Sequence, residues 1–291
     1  MDYLPRHKSV EELTFTDDFM FGTIMKNKTI CKGVLERLLH IKVGKIEYPS
    51  LQKTIAPFYE SKGIRLDVYV AESSRVFDIE IQTAILPDLP KRTRYYQSLM
   101  DVDCLLRGQS YVELKDSYVI FICTQDPFGK GLPVYTFENT CRENGGLFLA
   151  DKSYKVFYNA SAYSKEKDDE LHALLRYLCK KQATSHFTQS IDELVETTKN
   201  NEKFRSLYMS LNIYKDDLLR EGSLIGEKIG FEKGVVAGIH KGRSEGIQQG
   251  FSDGAHQNAL QNAGNLKRLG VSIEIIAKAT GLSKQEVEAL N

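Results

Sequence analysis

The length, composition and charge of the chain are those of an ordinary globular protein. It has 291 residues, of which 42% are hydrophobic and 27% charged, enough for one or two domains with a buried core. No apolar run approaches the roughly 18 residues that a membrane-spanning helix needs, and residues 1–10 do not resemble a secretory signal. The sequence therefore predicts a cytoplasmic protein without a membrane span.

The charge balance and the spacing of cysteine and histidine restrict the kinds of site that the chain can form. Lysine plus arginine equals aspartate plus glutamate, at 39 each, so the net charge gives no support to nucleic-acid binding. The five cysteines and six histidines lack the spacing of zinc ligands, so a metal ion would have to be held by oxygen. Positive charge is concentrated in residues 90–96, where three cations lie beside two aromatic residues; a solvated helix start is the alternative interpretation.

Hydrophobic periodicity predicts an α/β core over residues 1–163. Two short helices are expected over residues 17–39, strands over residues 45–54, 63–70 and 76–82, and a helix over residues 90–107. A continuous apolar run over residues 118–124 is typical of a central strand, and further short strands are expected near Val134 and Val156.

The strands over residues 63–70 and 76–82 form a predicted hairpin whose register brings two acids together. Centring its turn between residues 73 and 74 places Asp67 opposite Glu80, with β-carbons about 4.5–5.5 Å apart. Like charges in that arrangement repel, and a divalent cation such as Mg²⁺, which prefers oxygen ligands, would stabilise them. In the alternative interpretation both acids are solvated and Arg65 is their counter-ion. The same register pairs apolar residues on one face: Leu66 with Ile81, Val68 with Ile79, and Val70 with Phe77.

Beyond residue 163 the sequence predicts helices only, beginning with a helical extension over residues 164–221. Over residues 222–256 glycine recurs at every fourth position, nine times from Gly222 to Gly254. Nine glycines cost a helix roughly 9 kcal/mol against alanine, which only close packing could offset. The glycine line drifts about 40° per repeat, which would favour a right-handed wrap around a partner helix. We expect either a self-association helix or a semi-flexible tether; an apolar stripe follows the glycines, at Phe231, Val235, Ile239, Ile247 and Phe251.

Residues 257–291 are predicted to form a small module that resembles a helix-turn-helix. Ala277, Gly281 and Val287 have the spacing of that motif. DNA contact and simple packing both remain open, because Glu286 and Glu288 would repel phosphate. The expected core of the module is Leu266, Leu269, Ile273 and Ile276.

The order of elements in the first half resembles the PD-(D/E)XK nuclease superfamily. Residues 15–21, 65–69, 80–82 and 92–96 more closely resemble the recombination-promoting nucleases of the Rpn type, a group also labelled transposases. The resemblance covers roughly residues 11–160, and the glycine repeat resembles tails found in that group. It implies a restriction-endonuclease-like core, with a mixed β-sheet flanked by helices, followed by a C-terminal all-helical extension.

The resemblance also implies Mg²⁺-dependent (or Mn²⁺-dependent) endonucleolytic cleavage of DNA. Asp67 and Glu80, with the backbone carbonyl of Ile81, would hold the metal ion. Gln82 replaces the lysine of the motif; its amide can orient water but cannot carry charge or accept a proton. A catalytically degenerate module with an assembly or regulatory role is therefore the alternative function.

Three further residues are expected to support the site. Glu36 resembles the acid that often completes it, although a solvated helix glutamate beside Arg37 is the plain alternative. Arg92 and Tyr96 would contact phosphate or support the site, or else pack as ordinary helix residues. Expected partners are DNA and further copies of the chain, bound through the glycine-repeat helix.

Overall fold

The computed structural model describes residues 6–46, 50–55 and 62–290. The chain divides into two units, Met1–Ile213 and Tyr214–Asn291, and the boundary between them falls inside one long helix. The expected division into four segments, ending at residues 163, 221, 256 and 291, stays a prediction.

The first unit is built on a mixed six-stranded sheet in the order β1-β2-β3-β4-β6-β5. Strands β1, β2 and β3 are joined in antiparallel fashion, β4 runs parallel to β3 and to β6, and β5 is antiparallel to β6. This confirms the predicted mixed sheet. The strands are β1 (Ser50–Ile55), β2 (Ile64–Ala71), β3 (Arg75–Gln82), β4 (Asp116–Cys123), β5 (Val134–Phe137) and β6 (Ser153–Asn159).

Helices cover both faces of the sheet, and three of them begin at a residue whose side chain caps the helix. The Asn27 side chain accepts hydrogen bonds from two backbone amides of α2, and Asp168 and Ser185 cap α4 and α5 in the same way. The helices are α1 (Asp18–Met25), α2 (Lys28–Leu39), α3 (Leu89–Cys104), α4 (Asp169–Lys180), α5 (His186–Lys199) and α6 (Glu202–Arg268), with short 3₁₀ helices at Tyr111–Glu113 and Ala160–Lys165.

Two hydrophobic cores lie on opposite sides of the central strand β4. Ile120 and Ile122 belong to the core that helices α1, α2, α4 and α5 cover. Val119 and Phe121 belong to the core beneath α3, so alternate residues of β4 are buried on both faces. The continuous apolar run that predicted a central strand has this physical cause.

The predicted register of the β2–β3 hairpin is confirmed for the residues nearest the turn, and the pattern changes at Asp67. Val68 pairs with Ile79 and Val70 with Phe77, as expected, and these residues lie in the first core. Leu66 does not share that face, because it packs with Ile64 and Tyr69 in the core beneath α3. The expectation that Leu66, Val68 and Val70 share one face is therefore wrong, since regular alternation is lost at Asp67.

The second unit ends in two short helices that fold against the end of α6. These are α7 (Ile273–Thr280) and α8 (Lys284–Ala289), and Gly281 ends α7 with a φ of 74°. Leu269, expected in the core of this module, is 79% exposed, because it follows the last residue of α6 and lies in the connection to α7. The buried residues of this core are Ala263, Ile276, Leu282 and Val287.

All nine repeat glycines lie within α6, which is 67 residues long. A β-carbon added at any of them would meet nothing within 4 Å beyond its own neighbourhood of the helix. The described contacts of the chain therefore do not explain why these positions are glycine. Within the described residues, no helix combines the length and the apolar character needed to cross a membrane.

Candidate active site

A cavity of about 650 Å³ opens where β2, β3, α1 and α3 meet. Its floor contains Asp67, Glu80 and Gln82, the three residues expected to act in catalysis. Acidic and basic side chains line it together, which suits a ligand that combines a cation with an anion. The other lining residues are Asp18, Lys62, Gly63, Ile64, Arg65, Ile81, Thr83, Asp88, Lys91, Arg92, Tyr95 and Tyr96.

At the end of the hairpin, the carboxylates of Asp67 and Glu80 each accept a hydrogen bond from a backbone amide of the opposite strand. The backbone amide of Asp67 donates to Glu80 Oε1 over 2.8 Å, and the amide of Ile81 donates to Asp67 Oδ2 over 3.4 Å. The regular pairing of β2 with β3 ends at Val68 and Ile79, so these hydrogen bonds lie just beyond its end. The two carboxylates are thus turned toward the same end of the hairpin.

Burial and the charges of neighbouring acids make ionisation of these two carboxyl groups unfavourable. Burial, followed by the charge of Asp18, raises the pKa of Asp67 to about 6. Burial, followed by the charge of Asp67, raises the pKa of Glu80 to about 8. A positive charge between them would stabilise the ionised pair.

Asp78 lies behind the pair and is completely buried. Neither of its carboxylate oxygens has a hydrogen-bond partner among the described residues. Burial, together with the charges of Glu80 and Asp67, raises its pKa well above the ordinary value. Its place near the turn suggested no role from sequence, but its surroundings favour a neutral acid behind the site.

Arg92 connects the acidic floor to helix α3. Its Nη1 donates to Gln82 Oε1 over 3.2 Å, its Nη2 donates to the Tyr96 hydroxyl over 3.1 Å, and Nη2 lies 3.5 Å from Glu80 Oε2. The guanidinium lies 5.4 Å from the ring centres of both Tyr96 and Phe121. Burial opposes its charge, but the hydrogen bond to Tyr96 and the charge of Glu80 raise the pKa of Arg92.

Both ends of the Gln82 amide are engaged. Its Oε1 accepts the hydrogen bond from Arg92, and its Nε2 donates to the carbonyl of Ala84 over 2.7 Å. One amide hydrogen and one lone pair remain for a further ligand. Gln82 can therefore still contact water, but its orientation is fixed by Arg92 and Ala84.

Asp18 is the acid that sequence analysis missed, and Glu36 does not line the cavity. The Glu36 carboxylate accepts the amide of Val43 over 3.0 Å, which joins α2 to the loop after it, and lies 3.8 Å from Nζ of Lys32, one turn earlier in the same helix. Asp18, at the start of α1, lines the cavity. Its position in the motif over residues 15–21 could have indicated it, but two adjacent aspartates occur there and the pattern does not distinguish them.

Among the described residues, the cavity offers carboxylates and the Gln82 amide oxygen as metal ligands, and these form no ready-made cage. No cluster of three or more histidine, cysteine, aspartate or glutamate side chains with suitable geometry for a metal ion is present in the described ranges. A cation bound to Asp67 and Glu80 would therefore take its other ligands from backbone carbonyl, water or substrate. Mg²⁺ is commonly bound in this way, by one or two carboxylates with water and phosphate.

The residues that build this site lie in a part of the chain that is similar to a known family. Residues 15–135 match the model of the PD-(D/E)XK nuclease family transposase. The match covers less than half of the 291 residues, from α1 to β5, and includes every residue of the acidic pair and of the Arg92 network. It confirms the resemblance to this nuclease family and the restriction-endonuclease-like fold of the core.

Two other comparisons gave no further relatives. Neither the search of curated proteins nor the search of solved structures found a match to the chain. The PD-(D/E)XK family match therefore supports a nuclease-like or transposase-like function, and the finer assignment depends on the site itself.

Proposed function

We propose that this protein is a metal-dependent DNA endonuclease of the PD-(D/E)XK type, linked to DNA recombination or to mobile elements. The observation that supports this most is the pairing of Asp67 with Glu80 at the floor of a cavity whose walls bear Lys62, Lys91 and Arg92. Carboxylates suit a hard divalent cation, and the surrounding cations suit the phosphates of DNA.

The donor set fits Mg²⁺ or Mn²⁺. Asp67 and Glu80 would hold the ion, with the carbonyl of Ile81 as a third ligand. Burial and neighbouring acids raise the pKa of both groups, so a cation beside them would stabilise their ionised forms. When bound, the ion lowers the pKa of a coordinated water and stabilises charge on the phosphate. Asp18, which lines the same cavity, is a better candidate than Glu36 for the additional acid.

The remaining residues of the site would orient the substrate. Arg92 and Lys91 would bind phosphate oxygens, and Tyr96 would hold Arg92 in place through its hydroxyl. The free amide hydrogen of Gln82 would donate to water or to a phosphate oxygen. None of these side chains is an effective proton acceptor near neutral pH, so proton removal from water depends on its coordination.

The test is cleavage of supercoiled plasmid DNA by the purified full chain with Mg²⁺ or Mn²⁺. We expect nicking by the wild type and a loss of at least about 100-fold for Asp67→Ala and Glu80→Ala, because each removes a metal ligand. Asp103→Ala is the matched control. It removes a carboxylate from α3 that forms an ion pair with Lys53 and does not line the cavity. Cleavage that survives both site substitutions would refute the assignment.

A catalytically degenerate nuclease-like protein is the second candidate, and Gln82 favours it. The motif lysine is absent, and the amide in its place is tied to Ala84 and Arg92. If no combination of metal ion and salt gives cleavage, while the wild type still binds DNA, the binding or regulatory function is the correct one.

Self-association through the glycine repeat of α6 is also part of the proposal. The repeat glycines have open space around them and the residues that follow them, such as Phe231 and Phe251, are strongly exposed. A second copy of the chain would cover this surface. Cytoplasmic localisation remains a prediction from the sequence.

A further inference from the structure

The motif position that would hold a lysine is uncharged in this chain, while a fixed cation lies directly beside it. Gln82 provides no charge, yet its Oε1 touches Arg92 Nη1 over 3.2 Å. The same guanidinium lies 3.5 Å from Glu80 Oε2. A positive charge therefore lies near the end of β3, supplied by α3 instead of by the strand.

The guanidinium of Arg92 is held in place from several sides. Tyr96, one helical turn further along α3, accepts a hydrogen bond from it over 3.1 Å. The rings of Tyr96 and Phe121 both lie within 5.4 Å of its centre, so its planar group packs between helix and sheet. Its side chain is 26% exposed, which leaves part of the group open to the cavity.

A solvated surface arginine would not have this arrangement. Of the basic residues in the segment 90–96, Arg94 does not line the cavity, while Lys91 lines it and is exposed. Arg92 combines partial burial with contacts to both Glu80 and Gln82, so its charge acts at short range in surroundings that screen it weakly.

We propose that Arg92 supplies the positive charge that Gln82 lacks, and that Gln82 and Tyr96 are positioning residues that hold its guanidinium beside Glu80. This inference rests on the proposed nuclease function and identifies Arg92 as the cation that would face the phosphate of the substrate. Arginine remains protonated at every physiological pH, so Arg92 stabilises negative charge on the phosphate and exchanges no proton.

A charge-relocation experiment tests this role. The variants are Arg92→Gln, Gln82→Lys and the double variant Gln82→Lys with Arg92→Gln, which moves the cation from α3 to β3 across a 3.2 Å contact. Arg94→Gln is the matched control, because it removes the same charge from the same helix at an exposed position that does not line the cavity.

Plasmid nicking gives the first measurement. We expect Arg92→Gln to lower kcat by about 100-fold, as the loss of one charge-stabilising donor does in other enzymes. Gln82→Lys alone should also be impaired, because it places two cations in contact. The double variant should regain at least about 10-fold over Arg92→Gln, and thermal melting identifies any variant that fails to fold.

Titration with Mn²⁺ in the absence of DNA gives a second measurement that does not require activity. Removing a cation that lies 3.5 Å from Glu80 should tighten Mn²⁺ binding by several-fold in Arg92→Gln, and the double variant should restore the wild-type affinity. Arg94→Gln should leave it unchanged.

The two measurements separate failure of this inference from failure of the nuclease assignment. A wild type that cleaves no DNA refutes the nuclease function, and Mn²⁺ affinities equal in the wild type and Arg92→Gln then overturn the role of Arg92 as well. With an active wild type, the role of Arg92 is overturned if Arg92→Gln cleaves as fast as Arg94→Gln, or if the double variant is no better than Arg92→Gln.

Discussion

Ionising both Asp67 and Glu80 is unfavourable because they are buried near other acids, and this favours the binding of a cation beside them. Each accepts a backbone amide at the end of the hairpin, and each has a raised pKa because it is buried beside another acid. Groups with such perturbed pKa values concentrate at functional sites, where a ligand offsets the repulsion. The cavity cations offset part of it, and Arg92 lowers the pKa of both acids.

The pH dependence of the free energy of unfolding should reveal how unfavourable the ionisation of Glu80 is in the folded protein. The folded-state pKa of Glu80, about 8, lies above its ordinary value of 4.5, so the folded protein binds its proton more tightly than the unfolded chain does. Stability from this group is complete below its ordinary pKa and is lost as the pH rises toward 8. The Glu80→Gln variant should therefore be close to the wild type in stability at pH 5. At pH 8 its free energy of unfolding should exceed that of the wild type by about 1–3 kcal/mol.

Chemical denaturation at the two pH values measures this difference. Asp88→Asn is the control, because it removes a charge from the same cavity at a position exposed to solvent. Addition of Mg²⁺ should stabilise the wild type at pH 8 and leave Glu80→Gln nearly unaffected. A wild type whose stability rises between pH 5 and 8 relative to Glu80→Gln would contradict the argument.

The acidic pair could be predicted from sequence, whereas its surroundings could not. Alternation of apolar residues in β2 and β3 predicts that Asp67 lies beside Glu80, and the hydrogen bond from the Asp67 amide to Glu80 brings them together, although regular pairing has ended at Val68 and Ile79. The choice between Asp18 and Glu36 depends on how α1 and α2 pack on the sheet, which periodicity does not specify. Likewise, the contact of Arg92 with Gln82 joins a helix to a strand and has no local pattern in the sequence.

At the scale of elements, strand β2 departs from regular alternation where the site begins. Leu66 packs beneath α3, while Val68 packs in the opposite core. A strictly regular strand would place both on one face, so the change at Asp67 could not be deduced from alternation alone. The helices of the first unit and the central strand β4 follow from apolar patterns in the sequence, whereas the parallel pairing of β4 with β6 does not.

The packing of α2 against α5 offers a second test. Gly33 lies in α2, and a β-carbon added there would lie 2.7 Å from Phe187 Cζ and 3.3 Å from Arg37 Nη1. Gly33→Ala should therefore lower the free energy of unfolding by about 1–3 kcal/mol, although alanine favours a helix by about 1 kcal/mol.

Gly264→Ala is the matched control for this substitution. Gly264 lies in α6 outside the four-residue register, and an added β-carbon meets nothing within 4 Å. Its replacement should be neutral or stabilising by up to about 1 kcal/mol. Thermal and denaturant unfolding of both variants measure the contrast, and a Gly33→Ala protein as stable as the wild type would show that Phe187 can move aside.

At the scale of the whole molecule, the glycine repeat is unexplained by contacts within the described chain. Its nine glycines weaken α6 and leave apolar residues exposed. Such a surface is typical of a helix that packs closely on another helix. The repeat is visible directly in the sequence, but no contact of the described residues shows what would cover it.

The oligomeric state of the full chain tests the proposed partner. Gly238→Leu places a large side chain in the glycine line, so it should shift the protein toward the monomer in light scattering coupled to size exclusion. His240→Leu adds the same side chain two residues further along, about 200° around the helix, and should leave assembly unchanged. A wild type that is monomeric at high concentration would refute self-association through α6.

The bonds that close the end of the β2–β3 hairpin use the same carboxylate oxygens that an ion would need. Glu80 Oε1 holds the amide of Asp67, and Asp67 Oδ2 holds the amide of Ile81. Each carboxylate has about four lone-pair sites and the amide occupies one of them, so a cation could bind without breaking these hydrogen bonds. The same two amides hold the carboxylates in place, so the end of the hairpin would serve as a preorganised support for the ion.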